Sequence, residues 1–344
     1  MNAALESPVA GINPYRTRIL KGFDDPSFGP AVWNALVARG ETNAINMTWQ
    51  MHAAWWEANA RGTLLPVVVE RHGAPIALAP MFADGGMVFN ICLLDYLDFI
   101  GDTRDPAVIE AILSTAREAV PGFVGFRFYF IPEHSPTSKR LQTVALRLGL
   151  QCVEEGALQC PAMDIVGRSE AALRATRKQS LMRHERALTR EGAIQVRHYR
   201  AADDIFPQLP AFFDQHVARR AVTDHPSAFE QSSERHFYER MTVLAGAAGW
   251  LRFTRLDWRD RAIAFHYGFS YGGRYLFGVP SFDIDLARYG VGEVLLRHVL
   301  LEAIAEGAAV FDFGIGDEAY KHRFATRVPR LVTWGLYPRS GVTD

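Results

Sequence analysis

The sequence predicts an α+β protein in which mixed, mostly antiparallel sheets are flanked by helices. Runs of β-forming residues joined by short turns occur in both halves, as at residues 64–82 and 251–279. Helical periodicity follows such runs, as at residues 107–120 and 291–306. At 344 residues the chain is also longer than one hydrophobic core usually serves, which favours two domains.

The first half begins with a predicted hairpin, in which strands at Leu64–Glu70 and Pro75–Phe82 are joined by a turn. The remaining first-half elements are a strand at 87–94, helices at 107–120 and 138–148, an aromatic strand at 122–130 and a strand near Gln151. This order indicates a mixed sheet with helices packed against it.

The second half begins with a basic helix predicted from Ser169 to Gly192. Strands follow at 251–256, 262–271 and 274–279, then a helix that ends at Gly307, a strand at 308–314 and a short helix. Asp317 is predicted to cap that last helix.

The composition limits the classes of partner. The 37 basic and 38 acidic residues give a net charge of -1, so no overall field attracts nucleic acid or a membrane surface. Three cysteines without metal or redox spacing fit a reducing compartment. Without a membrane-length apolar run or a recognisable secretion signal, the expected location is the cytoplasm, with no membrane insertion.

The glycine-rich segment Gly290–Gly292 is the strongest functional signal. Two glycines flank one apolar residue where a strand region passes into a long helix. Glycines permit a tight turn, and the N–H groups at a helix start can converge on an anion. The segment therefore predicts a binding site for phosphate or pyrophosphate.

The segments 290–296 and 311–321 resemble the C-terminal signature of the CelD-like and FemAB-like branch of the GNAT acyltransferases, whose members include BioF2-like domains. The resemblance extends back to about Trp49. It implies tandem GNAT-like domains: an N-terminal arm at 1–25, a first domain at 26–165, a basic linking helix at 166–192 and a second, donor-binding domain at 193–344.

The resemblance also implies an acyltransferase that moves an acyl group, acetyl first of all, from acyl-CoA to an amine. The amine would belong to a sugar, an amino acid or an envelope-related small molecule. The donor site would comprise Arg288, Gly290, Val291, Gly292, Glu293 and Val294, with Val279 and Ser281 on the preceding strand. In one position the chain departs from the superfamily pattern. The pattern places a basic residue where Ala287 stands, and Arg288 comes one position too late to match it.

Acyl transfer requires a base for the amine and an acid for the leaving thiolate. Asp312, inside an apolar strand, is either a base with a raised pKa or a carboxylate that ties down the next glycine loop. Tyr320 is either the acid or a packing residue, and Lys321 either binds an anion or pairs with Asp317. His266 lies among small residues on a strand, as a site residue or a structural one.

The acceptor site is predicted to include Asp95, Tyr96, Asp317 and Glu318. A nucleophile elbow at 268–272 is rejected because a strand, not a helix, follows it. A dinucleotide fingerprint is rejected because Leu295 replaces its third glycine. The histidines lack metal-ligand spacing, so no metal is expected. The sequence leaves the oligomeric state open.

Two alternatives remain open. The basic helix at 166–192 is either a solvated linker or a contact to a phosphate-rich donor, which in FemAB-like relatives is aminoacyl-tRNA. The chain would then be an aminoacyl transferase, the one reading in which nucleic acid is a partner. The other alternative is a non-catalytic partner in polysaccharide biosynthesis.

Overall fold

The computed structural model describes residues 14–92 and 95–339. The helices are α1 Pro30–Arg39, α2 Trp49–Asn59, α3 Pro106–Glu118, α4 Pro136–Arg147, α5 Ser169–Thr176, α6 Gln179–Glu191, α7 Ala202–Ile205, α8 Leu209–Arg220, α9 Ser232–Ala247, α10 Val291–Ala305 and α11 Ala319–His322.

The strands of the first half are β1 Tyr15–Ile19, β2 Thr63–Leu64, β3 Val67–Arg71, β4 Ala74–Ala79, β5 Met81–Asp84, β6 Met87–Asn90, β7 Ile100–Gly101, β8 Gly125–Pro132 and β9 Leu150–Gln159. Those of the second half are β10 Ala162–Asp164, β11 Ile194–Tyr199, β12 Leu251–Trp258, β13 Arg261–Tyr271, β14 Arg274–Phe282, β15 Val310–Asp312 and β16 Arg330–Pro338.

Three sheets organise these strands. The sheet β1-β3-β4-β7 consists of first-half strands, and the sheet β2-β5-β6-β8-β16-β9 consists of first-half strands with β16 from the second half. The second half contains the sheet β10-β15-β14-β13-β12-β11, in which only β14 and β15 run parallel. The predicted α+β class, with mixed, mostly antiparallel sheets and flanking helices, is confirmed.

Strand pairing crosses the predicted domain ranges in two places. β16, within the range 193–344, lies between β8 and β9 of the first half. β10, within the range 26–165, pairs with β15 of the second half. Pairing between strands that lie far apart in the chain has no local pattern in the sequence. Of the predicted arm at 1–25, residues 1–13 lie outside the described part, and β1 is paired with β3.

The basic helix predicted from Ser169 to Gly192 is two helices, α5 and α6. The break falls at Lys178, whose extended backbone angles (φ -51°, ψ 137°) interrupt the helix. Lys178 donates a hydrogen bond to the carbonyl of Arg323, and its ammonium lies 4.4 Å from the ring centre of Phe324. These tertiary contacts stabilise the break between α5 and α6. The sequence did not predict the break, because no proline or glycine lies there.

One hydrophobic cluster joins the two halves. It contains Trp33 and Trp55 from the first half and Phe212 and Tyr267 from the second, all buried. Burial of large apolar side chains on this scale stabilises the contact between the halves. The surfaces that meet beside β14 are therefore held in fixed relative positions.

Candidate functional site

The glycine turn before α10 leaves two backbone donors free. Gly290 adopts the left-handed conformation (φ 66°, ψ 34°), and its carbonyl accepts the N–H groups of Glu293 and Val294 at 2.9 and 3.1 Å. The N–H groups of Val291 and Gly292, at the first two helical positions, have no acceptor in the described residues. This helix start can bind an anion through those two donors.

Helix α6 fixes the position of this turn. A side-chain carbon at Gly290 would lie 2.3 Å from Nδ1 of His184, so glycine is required by space as well as by φ. The same Nδ1 lies 3.0 Å from Oε2 of Glu293, and Nη1 of Arg323 donates to Oε1 of Glu293 at 2.7 Å. Glu293 thus anchors the turn to its neighbours.

Strands β14 and β15 separate after a short parallel contact. Their register ends at Leu276 opposite Asp312, and β14 continues to Phe282 without that neighbour. The pairing of β14 with β13 is also irregular between Tyr267 and Phe269. A side-chain carbon at Gly278 would lie 2.8 Å from the carbonyl oxygen of Tyr267. The result is an unpaired strand edge beside a gap in the sheet.

Three adjoining cavities pass along this gap. The first, of about 240 Å³, is lined by the glycine turn and Leu296. The second, of about 510 Å³, shares with the first the residues Arg219, Phe277, Pro280 and Tyr320. The third, of about 140 Å³, shares with the second the residues Asp95, Tyr238, Gly278 and Val279. Together they lead from the turn to the first half of the chain.

Asp312 is fully buried and lies outside these cavities. One oxygen is paired with Arg274, and the other accepts the N–H of Gly314 at 2.9 Å and faces Sγ of Cys160 at 3.7 Å. Arg274 also lies 4.9 Å from the ring centre of Tyr96, which is buried and lines none of the three cavities. Of the two interpretations of Asp312, this geometry favours the carboxylate that ties down the glycine loop.

Asp95 brings a carboxylate from the first half to the gap. Its Oδ2 accepts the N–H of Ile315 at 2.8 Å, and Nδ2 of Asn46 donates to its carbonyl oxygen at 2.6 Å. Its Oδ1 has no partner in the described residues. Burial raises the pKa of Asp95 to about 6, against the lowering effect of the Ile315 N–H. The group lines the second and third cavities and is suited to exchange a proton near neutral pH.

The segment around α11 lines the second cavity from the other side. Tyr320 borders both the first and the second cavity, and burial raises the pKa of its hydroxyl, which keeps it protonated. Lys321 pairs with Glu318 at 3.0 Å and donates to the carbonyl of Ile315 at 2.7 Å. Both Lys321 and Glu318 line the second cavity.

The expected interactions of Asp317 do not form. It neither caps α11, whose preceding residue is Glu318, nor pairs with Lys321. Its carboxylate is exposed and lies 2.6 Å from Nε2 of His322 instead. Asp317 is outside the three cavities.

His266 does not project into an open floor. It is fully buried, and its ring stacks on Phe277 with centroids 4.9 Å apart and planes inclined by 10°. Burial lowers the pKa of this imidazole to about 3. The aromatic rings on β14 fill the space above the small residues of β13, so the geometry favours the structural interpretation.

The remaining predicted donor residues divide into two groups. Val279 lines the second and third cavities. Ser281 and Val294 are buried, and Arg288 is exposed with its guanidinium 4.9 Å from the ring centre of Tyr289. Ser281, Val294 and Arg288 line none of the three cavities.

Sequence reasoning missed five residues on α8 and α9 that line the second cavity, namely His216, Arg219, Arg220, Glu234 and Tyr238. Arg219 donates to the carbonyl of Pro280 at 2.8 Å and lies 4.6 Å from the ring centre of Phe282. In sequence these side chains have the spacing of ordinary amphipathic helices. Only the packing of α8 against β14 and of α9 against α2 reveals which of their faces meets the gap.

Neither a cluster of metal ligands nor a membrane-spanning helix occurs within the described ranges. Residues 14–92 and 95–339 contain no group of three or more histidine, cysteine or acidic side chains that could hold a metal ion. In the same ranges, no helix has both the length and the apolar character that crossing a membrane requires.

Comparison with known proteins identifies the second half. Residues 175–322 match the family described as the acetyltransferase (GNAT) domain. A search of curated proteins found no match. The matched range contains the glycine turn, both separating strands and α11, whereas Asp95 reaches the site from outside that range.

Solved structures share the fold of most of the chain. FemX has a TM-score of 0.65 at 10% identity, with 90% of this chain and 95% of FemX covered. The C-terminal domain of a putative lysylphosphatidylglycerol synthetase from Agrobacterium fabrum has a TM-score of 0.57 at 15% identity, with 89% and 90% covered. A tandem GNAT protein from the clavulanic acid biosynthesis pathway has a TM-score of 0.52 at 12% identity, with 95% and 99% covered.

Proposed function

We propose that this chain, which carries a GNAT acetyltransferase domain at residues 175–322, transfers an acyl group from acyl-CoA to a small-molecule amine. The observation that carries the proposal is the continuous path from the glycine turn to the gap between β14 and β15. A pyrophosphate fits the free N–H groups of Val291 and Gly292. The pantetheine arm would then follow the first cavity, and the thioester would lie beside the unpaired edge of β14.

Asp95 and Tyr320 are the residues best placed to move protons. In the proposed reaction the amine nitrogen attacks the thioester carbonyl carbon, a C–N bond forms and the C–S bond breaks. Oδ1 of Asp95 takes the proton that leaves the nitrogen, and the Tyr320 hydroxyl protonates the leaving thiolate. Asp95 replaces Asp312 as the proposed base because Asp95 lines two of the cavities and its Oδ1 has no partner within 14–92 and 95–339, whereas both oxygens of Asp312 are engaged.

An aminoacyl-tRNA donor is the second candidate. The exposed residues Arg183, Arg186 and Arg190 lie on α6, the helix whose His184 contacts the glycine turn. A basic surface next to the donor turn could bind nucleic-acid phosphates, and such binding would weaken steeply as salt increases. The balanced charge of the whole chain favours acyl-CoA as the first candidate.

Thermal unfolding in the presence of each donor separates these candidates. A ligand that binds only the folded protein raises the melting temperature with its concentration. Acetyl-CoA is expected to raise it, and uncharged tRNA is expected to have no effect at physiological salt. A shift with tRNA alone would favour the second candidate. The absence of a shift with either donor would contradict the proposed donor site.

A further inference from the structure

The second cavity contains two opposite charges that do not meet each other. Arg220 ends α8 and Glu234 belongs to the first turn of α9, and both line this cavity of about 510 Å³. Neither side chain makes a hydrogen bond or ion pair with a residue that the structure describes. Burial raises the pKa of Glu234, which shows that its charged form lacks compensation there.

The other charged groups of this cavity already have protein partners. Lys321 is paired with Glu318, and Arg219 donates to the carbonyl of Pro280. Asp95 uses one oxygen for the N–H of Ile315, and its other oxygen has no partner among the residues that the structure describes. The groups available to a ligand are therefore one guanidinium and two carboxylates, placed around one space.

We infer that the acceptor is a zwitterionic amine of the amino-acid type, which carries an anionic group as well as the amine. Arg220 binds the anionic group, since guanidinium and carboxylate form strong paired hydrogen bonds. Glu234 and Asp95 bind the ammonium group before Asp95 removes its proton. This inference rests on the proposed acyl transfer and adds the chemical class of the acceptor.

Rates of acetyl-CoA thiol release test the inference, with the twenty standard amino acids and their α-amides as probes. At least one amino acid is expected to accelerate release, with kcat/KM about 10- to 100-fold above that of its amide, the factor for a lost charged hydrogen bond. Phosphoethanolamine distinguishes a phosphate from a carboxylate as the anion. The inference is overturned if no amino acid has a higher kcat/KM than its α-amide and if phosphoethanolamine has no higher kcat/KM than the same amine without its phosphate.

Variants assign the two contacts. Arg220→Gln is expected to abolish the preference for acid over amide, and Glu234→Gln to lower kcat/KM for both. The exposed residues Arg16 and Glu118, whose side chains have no partner within 14–92 and 95–339, supply controls as Arg16→Gln and Glu118→Gln. Unchanged selectivity in Arg220→Gln, at unchanged melting temperature, would overturn the assignment.

The inference and the proposed function fail in different ways. If acetyl-CoA stabilises the protein but no zwitterion is preferred, the acceptor class is wrong while donor binding stands. If acetyl-CoA does not bind at all, the proposed function itself fails. Acetyl-CoA protection of Arg220→Gln and Glu234→Gln, measured in parallel, shows whether either substitution has disturbed the donor side.

Discussion

The Arg274–Asp312 pair offers the sharpest test of whether Asp312 is structural. Asp312 is fully buried, and the side chain of Arg274 retains 23% of its exposure. Arg274→Met leaves a buried carboxylate without its counter-charge, which is expected to lower the free energy of unfolding by about 3–5 kcal/mol. Adding Asp312→Asn to that variant removes the buried charge and keeps an acceptor for Gly314. The double variant is therefore expected to be more stable than Arg274→Met alone.

Urea denaturation followed by tryptophan fluorescence measures these differences. Arg104→Met is the matched control, because Arg104 pairs with Asp102 on the surface and both side chains are largely exposed (70% and 47%). Exposed pairs contribute at most about 1 kcal/mol. Equal destabilisation by the two methionine variants would refute the reasoning. The reasoning would also be refuted if Asp312→Asn kept its stability but lost acyl transfer, since Asp312 would then act in the chemistry.

Three further predictions concern the turn, the proposed base and a helix cap. Gly290→Ala should lower the free energy of unfolding by about 1–2 kcal/mol because of the positive φ, and by a further amount because the new side chain collides with His184. Adding His184→Ala should relieve the collision, so strictly additive losses of the two variants in urea denaturation would contradict this. The pKa of Asp95 is raised to about 6, so the folded state binds a proton more tightly than the unfolded one; this stabilisation is lost as pH rises from about 4 to 6. Asp95→Asn should remove that loss of stability and also the rise of kcat through about pH 6. If stability plotted against pH runs parallel for Asp95→Asn and wild type, the prediction is wrong. Ser135→Ala removes the acceptor of the Ser138 N–H at the start of α4 and should cost about 1 kcal/mol, and no change in the urea midpoint would exclude a capping role.

Local patterns sufficed to predict the hairpins and the longer helices beside them, but not β1, α1, α2, α8, α9 or β16, and they predicted few of the contacts between distant segments. The hairpin of β3 and β4 and the strand-turn-strand order of β12 to β14 follow from alternation and turn residues. Helix α10 and its glycine turn follow from periodicity and conformational freedom. The insertion of β16 between β8 and β9 carries no such signal, because both neighbours lie far away in sequence.

The same distinction explains the site. Gly290 and Tyr320 were recognisable from local sequence, and the structure places them on one path. Glu234 was not recognisable, because a glutamate in the first turn of a helix is ordinary until the packing of α9 against α2 places it beside the second cavity. Asp312 was recognisable as a carboxylate in an apolar strand. Its partner Arg274 was not, because it lies on the neighbouring strand and no local spacing indicates the pair.

Calorimetric titration with coenzyme A, applied to Gly292→Asp and to Gly156→Asp, tests the central claim most directly. An acidic residue in the first turn favours helix α10 but repels phosphate at the free N–H groups. Gly156 is an exposed strand residue with no atom within 4 Å of an added side-chain carbon, so its variant makes the same change elsewhere. Wild type and Gly156→Asp are predicted to bind equally, and Gly292→Asp about tenfold more weakly or worse. Equal binding by all three proteins would contradict a donor site at the glycine turn.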